Sequence, residues 1–499
     1  MKRFWIGLLS CALIMLFGTA VFAADAKFSG EFYLKGWYNK NHSLIDQDAP
    51  AGIGQSGVGR GATAFYTQRL RMGMNFQIAK GLRFATRFDA LERKWMAARK
   101  PAPTGGESPS ITTTDSEAEN IAWEVAYVNF ATPLGLFTVG SAPSGGCFGT
   151  CFGDAVGFTG SVISWANAFG PLTISASMKK NQDGVWARAT TATPALPATG
   201  IGQGTDNDSE SYTIAGSYRW KGGALGMAVG DVRARTANTY YTSIYGTPVY
   251  GRKTDLPYIT LWAMQKFGKL FVEWEAGMIH FGHYVKYNEP KESFYQNVDP
   301  DKAWSSYLNI NYDLSPFKIG FMFIHSTGDD PNTKDKREGG FRGILDLDRS
   351  FNPCLILWNE DYMQWMSPTG SGGAQYGTIY GNATGNPIST PMNNMEFFQI
   401  YGDFKATPKL TLSAAFTYAY ANEKPTSDAQ PVNATGSNLF LDDEYGKELD
   451  LTLKYKIYDN LEYMIGAAYL WTGDYFKGTN SKTILSNNYL ITHKLTLTF

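Results

Sequence analysis

Lys447-Glu448-Leu449-Asp450-Leu451-Thr452-Leu453-Lys454-Tyr455-Lys456-Ile457-Tyr458 is the stretch on which the fold reading turns. Leu449, Leu451, Leu453, Tyr455 and Ile457 alternate with Glu448, Asp450, Thr452, Lys454 and Lys456. A period of two makes a strand with one apolar and one charged face. Asp459-Asn460 carries turn chemistry. The chain then returns with Leu461, Tyr463, Ile465, Ala467, Tyr469 and Trp471 on one face. In the last strand, Tyr489–Phe499, Ile491, Leu495, Leu497 and Phe499 share a face against Thr492, Lys494, Thr496 and Thr498. His493 breaks the apolar set. If the apolar face meets lipid, a one-residue slip would put Glu448, Asp450, Lys454 and Lys456 there. Each lysine would then cost ~2–4 kcal/mol at the bilayer midplane.

A soluble sandwich can also produce such a hairpin, but it explains poorly a strand that runs to a final aromatic residue. Outer-membrane barrels end this way, because the last strand must close on the first and leave no edge. Leu495, Leu497 and Phe499 are therefore expected to form the signal read by the barrel-assembly machinery.

Working backwards, the same alternation recurs. Strands are expected at Phe28–Tyr38, Ala64–Ala79, Leu82–Trp95, Asn120–Ala131, Leu136–Ser141, Val162–Phe169, Leu172–Lys180, Ser211–Trp220 and Ala224–Arg233. Others follow at Tyr258–Phe267, Leu270–Tyr284, Trp304–Tyr312, Phe317–His325, Phe397–Lys405 and Leu410–Tyr420. Every second connection is short, and the others are far longer. The fold class is all-β: a single transmembrane antiparallel up-and-down β-barrel of about eighteen strands, with short periplasmic turns and long extracellular loops. A barrel of this size encloses a water-filled lumen. The long connection over residues 326–396 holds an apolar stretch, with Phe351, Leu355, Ile356, Leu357, Trp358 and Trp365. It is expected to fold into the pore or onto its rim, with room for a small plug helix.

The 499 residues carry a formal net charge of -1, so nothing basic points to nucleic acid. Mean hydropathy is only -0.25, because alternation hides an apolar band from any average. Lys2-Arg3, the apolar run Phe4–Phe17 and Val21-Phe22-Ala23 read as a secretory signal. Residues 1–23 are expected to be cleaved and 24–499 to form one barrel domain in the cell outer membrane. Cys147 and Cys151, in a Gly-rich loop of an exported chain, are candidates for a small-loop disulfide. There is no Cys-x-x-Cys-His for haem, no calcium-loop spacing and no evident Ser-His-acid set, so neither a cofactor, a metal nor an enzyme is expected. A barrel hydrolase would need Ser, His and a partner on adjacent outward faces.

The apolar faces are expected to meet lipid, including Leu70, Met72, Met74, Phe76 and Ile78, with Trp95, Trp220, Trp304 and Tyr312 as an aromatic girdle. The opposite faces are expected to line the pore. There Arg69 and Arg71 stand beside Arg83, Arg87, Asp89 and Arg93 of the next strand. Glu124, Glu273, Lys405 and Lys454 join them, and Lys494 adds positive charge. Two outcomes are open for the arginine ladder. It attracts anions, or its charges pair across strands and only solvate the wall.

Tyr66-Thr67-Gln68-Arg69-Leu70-Arg71, Thr86-Arg87-Phe88-Asp89-Ala90-Leu91-Glu92 and the stretch from Gly446 to Tyr475 carry a resemblance. The mature sequence resembles Gram-negative outer-membrane porins, especially large porin-like proteins of metal- and sulfate-reducing bacteria. Its C-terminal part is similar to alginate-export barrels, which are eighteen-stranded with a basic conduit for an anionic polysaccharide. The resemblance implies passive diffusion of small hydrophilic solutes, weakly selective for anions, and association as a homotrimer, as in many porins. Export of an acidic polysaccharide, or service as the barrel around a cytochrome electron conduit, are the alternatives. The absent long periplasmic gating loop argues against the first. The strand count, below the mid-twenties of such sheaths, argues against the second.

Overall fold

A computed structural model describes residues 25–41, 44, 62–95, 121–143, 150–152, 159–182, 209–236, 252–279, 286–287, 303–328, 330–332, 351–359, 394–424 and 439–499. The expected signal segment, Cys147, Trp365 and residues 280–284 of the strand expected to reach Tyr284 lie outside them.

The strands are β1 Asp25–Lys40, β2 Ala62–Ala79, β3 Leu82–Lys94, β4 Ile121–Thr132, β5 Gly135–Pro143, β6 Thr159–Phe169, β7 Leu172–Gln182, β8 Ser209–Trp220 and β9 Gly223–Thr236. They continue with β10 Arg252–Phe267, β11 Leu270–Ile279, the two-residue β12 Lys286–Tyr287, β13 Ala303–Leu314, β14 Phe317–Ser326, β15 Met395–Lys405, β16 Leu410–Tyr420, β17 Glu444–Tyr458, β18 Leu461–Thr472 and β19 Asn488–Thr498. Apart from β12, which pairs along β10, each strand pairs antiparallel with its neighbours. β19 pairs with β1, so the ring closes on eighteen long strands. Its short turns are 80–81, 133–134, 170–171, 221–222, 268–269, 315–316, 406–409 and 459–460, all at one end. We call this the turn end and the opposite one the loop end.

The two faces sort as period two demands. Phe28, Ile163, Ile214, Phe267, Ile319, Ile400, Leu451 and Ile491 are exposed on the outside of the ring. Trp95, Trp220, Trp304 and Tyr312 are exposed near strand ends. A continuous apolar exterior of this extent is stable only in lipid, where closed pairing leaves no backbone group unsatisfied. At the seam Phe499 exchanges two backbone hydrogen bonds with Gly30, at 2.7 and 3.0 Å. His493, which breaks the apolar pattern, faces outward and covers Gly36, where a Cβ would lie 2.2 Å from the ring nitrogen Nε2. Its Nδ1 is 3.2 Å from the Tyr463 hydroxyl, and Tyr66 meets the ring edge-on.

Of the register shifts along the described strands, three re-aim side chains on the inner wall. Between β2 and β3 the register runs Leu70↔Ala90, then Gln68↔Arg93, setting two residues, Leu91 at φ 57° and Glu92, against the single Arg69. Between β3 and β4, Glu124 is extra. Between β16 and β17, Tyr445 is extra beside Gly446 at φ 128°. A Cβ on Gly446 would sit 2.2 Å from the Trp471 carbonyl oxygen, a backbone atom that has no room to withdraw. Gly446→Ala is expected to cost about 1–3 kcal/mol. Urea unfolding of the lipid-reconstituted barrel, followed by tryptophan fluorescence, should show a lower midpoint; an unchanged midpoint would rule this strain out.

Candidate functional site: the inner wall of the barrel

Two loop segments pack on the inner wall, each held by a carboxylate that faces consecutive backbone amides. Glu275 on β11 accepts from the amides of Thr150, Cys151 (2.9 Å) and Phe152 (3.1 Å), and Glu273 accepts from the Thr150 hydroxyl. Glu448 on β17 accepts from the amides of Leu355 (3.1 Å), Ile356 (2.7 Å) and Leu357 (2.7 Å), with Asp450 also 3.2 Å from Leu355 N. Successive amides form a concave anion cradle, and hydrogen bonds to an ionised acceptor are the strong kind. The segment 351–359 is further fixed by Gln399 Nε2, which donates to the Pro353 carbonyl at 2.8 Å, and by Trp358 against Phe397 and Tyr445. The bulge at Tyr445 turns that ring onto Trp358. The apolar stretch does fold onto the inner wall, as a turn rather than a plug helix over the described residues 351–359.

The arginine ladder is largely paired. Arg71 makes two hydrogen bonds to Asp89, at 2.7 and 2.6 Å. Arg69 reaches Glu31 at 3.2 Å and Glu92 at 3.6 Å and lies over the Tyr33 ring. Arg83 donates to the Tyr127 hydroxyl at 2.8 Å. Arg87 has Arg71 and Arg69 as well as Asp89 and Glu124 as its charged neighbours. Arg93 departs from expectation. The one extra residue at the bulge reverses the alternation, so Arg93 stands opposite Gln68 on the outward face while Glu92 and Lys94 turn inward. Trp95, also outward, donates to Gln68 Oε1 at 2.7 Å. Of the proposed disulfide pair only Cys151 is described, and it is buried.

A different set of cations runs along the wall. Cross-strand partners lead from Lys405 on β15 through Thr411 to Lys454 on β17. They continue through Met464 to Lys494 on β19, then Lys35 on β1, Thr67 and Lys94 on β3. Lys405 ends β15 at the turn end, and Lys94 ends β3 at the loop end. Because barrel strands tilt and stagger, this single register row climbs the wall from one mouth to the other. Lys35 Nζ lies 3.7 Å from the Trp37 ring centre, Lys494 Nζ 4.5 Å from that of Tyr33 and Lys94 Nζ 4.9 Å from that of Phe65, so cation–π contacts hold three of the five against the wall. Below the 351–359 segment the row borders a chamber of about 780 Å³, whose acidic lining includes Asp403, Asp450 and Glu462. Cavities of that size hold small organic molecules, on the order of 300–1,000 Å³. Sequence reasoning had Lys405, Lys454 and Lys494. Lys35 and Lys94 were missed, since only the register aligns them.

On the outward face Ser306, His325 and Glu396 stand in one row on adjacent strands. His325 Nδ1 is 2.6 Å from Glu396 Oε1, and Trp304 packs on the imidazole. His325 Nε2 is buried without a partner, so Ser306 lacks the hydrogen bond that would activate it as a nucleophile.

A closed antiparallel ring with an apolar exterior and a charged interior defines a β-barrel membrane protein. No family model and no curated protein matches the sequence. Among solved structures the chain is similar to OpdQ of Pseudomonas aeruginosa (11% identity, TM-score 0.46, covering 95% of this chain and 98% of that one). It is similar to OpdK of the same organism, solved with vanillate (11%, 0.46, 95% and 98%). It is also similar to OmpT, an outer membrane protein of Vibrio cholerae (10%, 0.37, 95% and 97%).

Proposed function

We propose that the protein is an outer-membrane channel for passive diffusion of small hydrophilic solutes, with a weak preference for anions. The observation that carries this reading is the lysine row from Lys405 to Lys94. A moving anion meets cations on β15, β17, β19, β1 and β3 of that path, with Lys494 and Lys35 facing each other on neighbouring strands and the others at intervals of roughly 10 Å given strands ~4.8 Å apart. That spacing is near the Debye length at 0.1 M salt, ~10 Å, so neighbouring sites overlap and no single one traps the ion. The paired arginines Arg69 and Arg71, with Asp89, Glu31 and Glu92, contribute a polar wall of little net charge. Export through cleavage of residues 1–23, insertion by the barrel-assembly machinery through Leu495, Leu497 and Phe499, and a homotrimeric state belong to the same reading.

The experiment is a planar bilayer holding the purified, refolded protein with a salt gradient across it. Stable openings with an anion-directed reversal potential are expected. A folded barrel that stays electrically silent would sink the channel reading; an open channel with no charge preference would remove the role given to the lysines.

A further inference from the structure

Cys354, Glu448 and Asp450 offer a sulfur and two carboxylate oxygens, all within 4.8 Å of one another. The three residues are 2%, 0% and 6% exposed. Glu448 and Asp450 are within hydrogen-bonding reach of each other and repel when both are ionised, and no lysine or arginine is hydrogen-bonded to either in the described residues. The amides of residues 355–357 occupy Glu448, but Asp450 Oδ1 is buried with no hydrogen-bond partner. An orphan carboxylate oxygen at such depth carries a full desolvation penalty.

We propose that Cys354, Glu448 and Asp450 form a binding site for a divalent cation of borderline-soft character, of the zinc type. One thiolate and two carboxylates suit such an ion better than calcium or magnesium, which take oxygen alone. Bond lengths of ~2.3 Å to sulfur and ~2.0–2.2 Å to oxygen need only modest contraction of the cluster. The amides that hold Glu448 then act as the outer hydrogen bonds that orient a ligating carboxylate. The Thr417 hydroxyl at 3.3 Å and Gln399 Nε2 at 3.7 Å do the same for the sulfur. A bound cation would take the thiol in its deprotonated form, as a coordinating sulfur. Cys354 and Asp450 both line the 780 Å³ chamber, which gives the ion its way in and leaves a coordination position for water. The site stands whether or not the barrel conducts.

The test is titration of the intact, detergent-folded, reduced protein with cobalt(II). Binding should produce a sulfur-to-cobalt charge-transfer band that saturates at one ion per chain and is displaced by zinc. Cys354→Ser should abolish the band, Asp450→Asn should weaken binding by about tenfold or more, and Cys147→Ser and Cys151→Ser should leave it unchanged. Absence of the band, or its survival in Cys354→Ser, overturns the proposal. Should Cys354→Ser fail to fold, zinc-edge absorption of the unmodified protein decides: one sulfur with oxygens supports the site, and no sulfur or several sulfurs overturns it.

Discussion

Glu448→Ala is expected to raise mean single-channel conductance several-fold and to add flicker between two levels. The alanine leaves the amides of Ile356 and Leu357 without their acceptor and that of Leu355 with Asp450 alone. Each buried orphan donor costs ~1–3 kcal/mol. Against this stands the packing of Ile356, Leu357 and Trp358, worth ~1.5–3 kcal/mol for each large side chain kept from water. The two sums are of the same order, so the segment should exchange between docked and released positions rather than leave permanently. Glu448→Gln keeps one acceptor oxygen and should behave between the two. Trp358, freed from Phe397 and Tyr445, should report release through red-shifted emission in a variant background with fewer tryptophans. A conductance identical to that of the parent would mean that the segment does not obstruct the path.

Lys405→Glu, Lys454→Glu and Lys494→Glu combined should turn the channel from anion- to cation-preferring. Each exchange changes the local charge by two units, at three points of one path. At 10 Å in water a unit charge contributes only ~0.4 kcal/mol to an ion's energy. Sixfold that amount, distributed along the row, is enough to invert a weak preference. The reversal potential should change sign in 0.1 M salt and approach zero near 1 M, where the Debye length falls to ~3 Å. Arg71→Ala is the informative contrast: it frees Asp89 and should move selectivity much less. A triple variant with an unchanged reversal potential would separate the lysine row from permeation.

The faces were legible from the sequence because a strand alternates strictly. Leu449, Leu451, Tyr455 and Ile457 had only to be read in order. Arg93 shows where that reasoning stops. One bulge at Leu91 shifts parity, and no residue type announces it, since leucine is an unusual occupant of positive φ. Glu448 and Asp450 were recognisable as inward acids, but what they bind was not. Their partners are backbone amides more than ninety residues away, and an amide has no sequence signature. The ladder of arginines stood out as a cluster in the chain, yet its charges cancel locally through Asp89, Glu31 and Glu92. The lysine row is scattered from residue 35 to 494 and becomes a line only through the stagger of the strands.

The seam between β1 and β19 also sets the order of events in folding. Thr492 Oγ1 donates to the Gly36 carbonyl across 456 positions of chain. Successive hairpins elsewhere join residues that are near in sequence and can form as soon as both arms exist. Closing the seam brings together the most distant contacts in the molecule, and nonlocal contacts of this kind come late because the search must be completed before any of them is rewarded. Until then, β1 and β19 each present a free edge. The barrel therefore passes through an open-sheet stage with two sticky margins, and the time spent there, more than the stability of the finished ring, governs its exposure to aggregation.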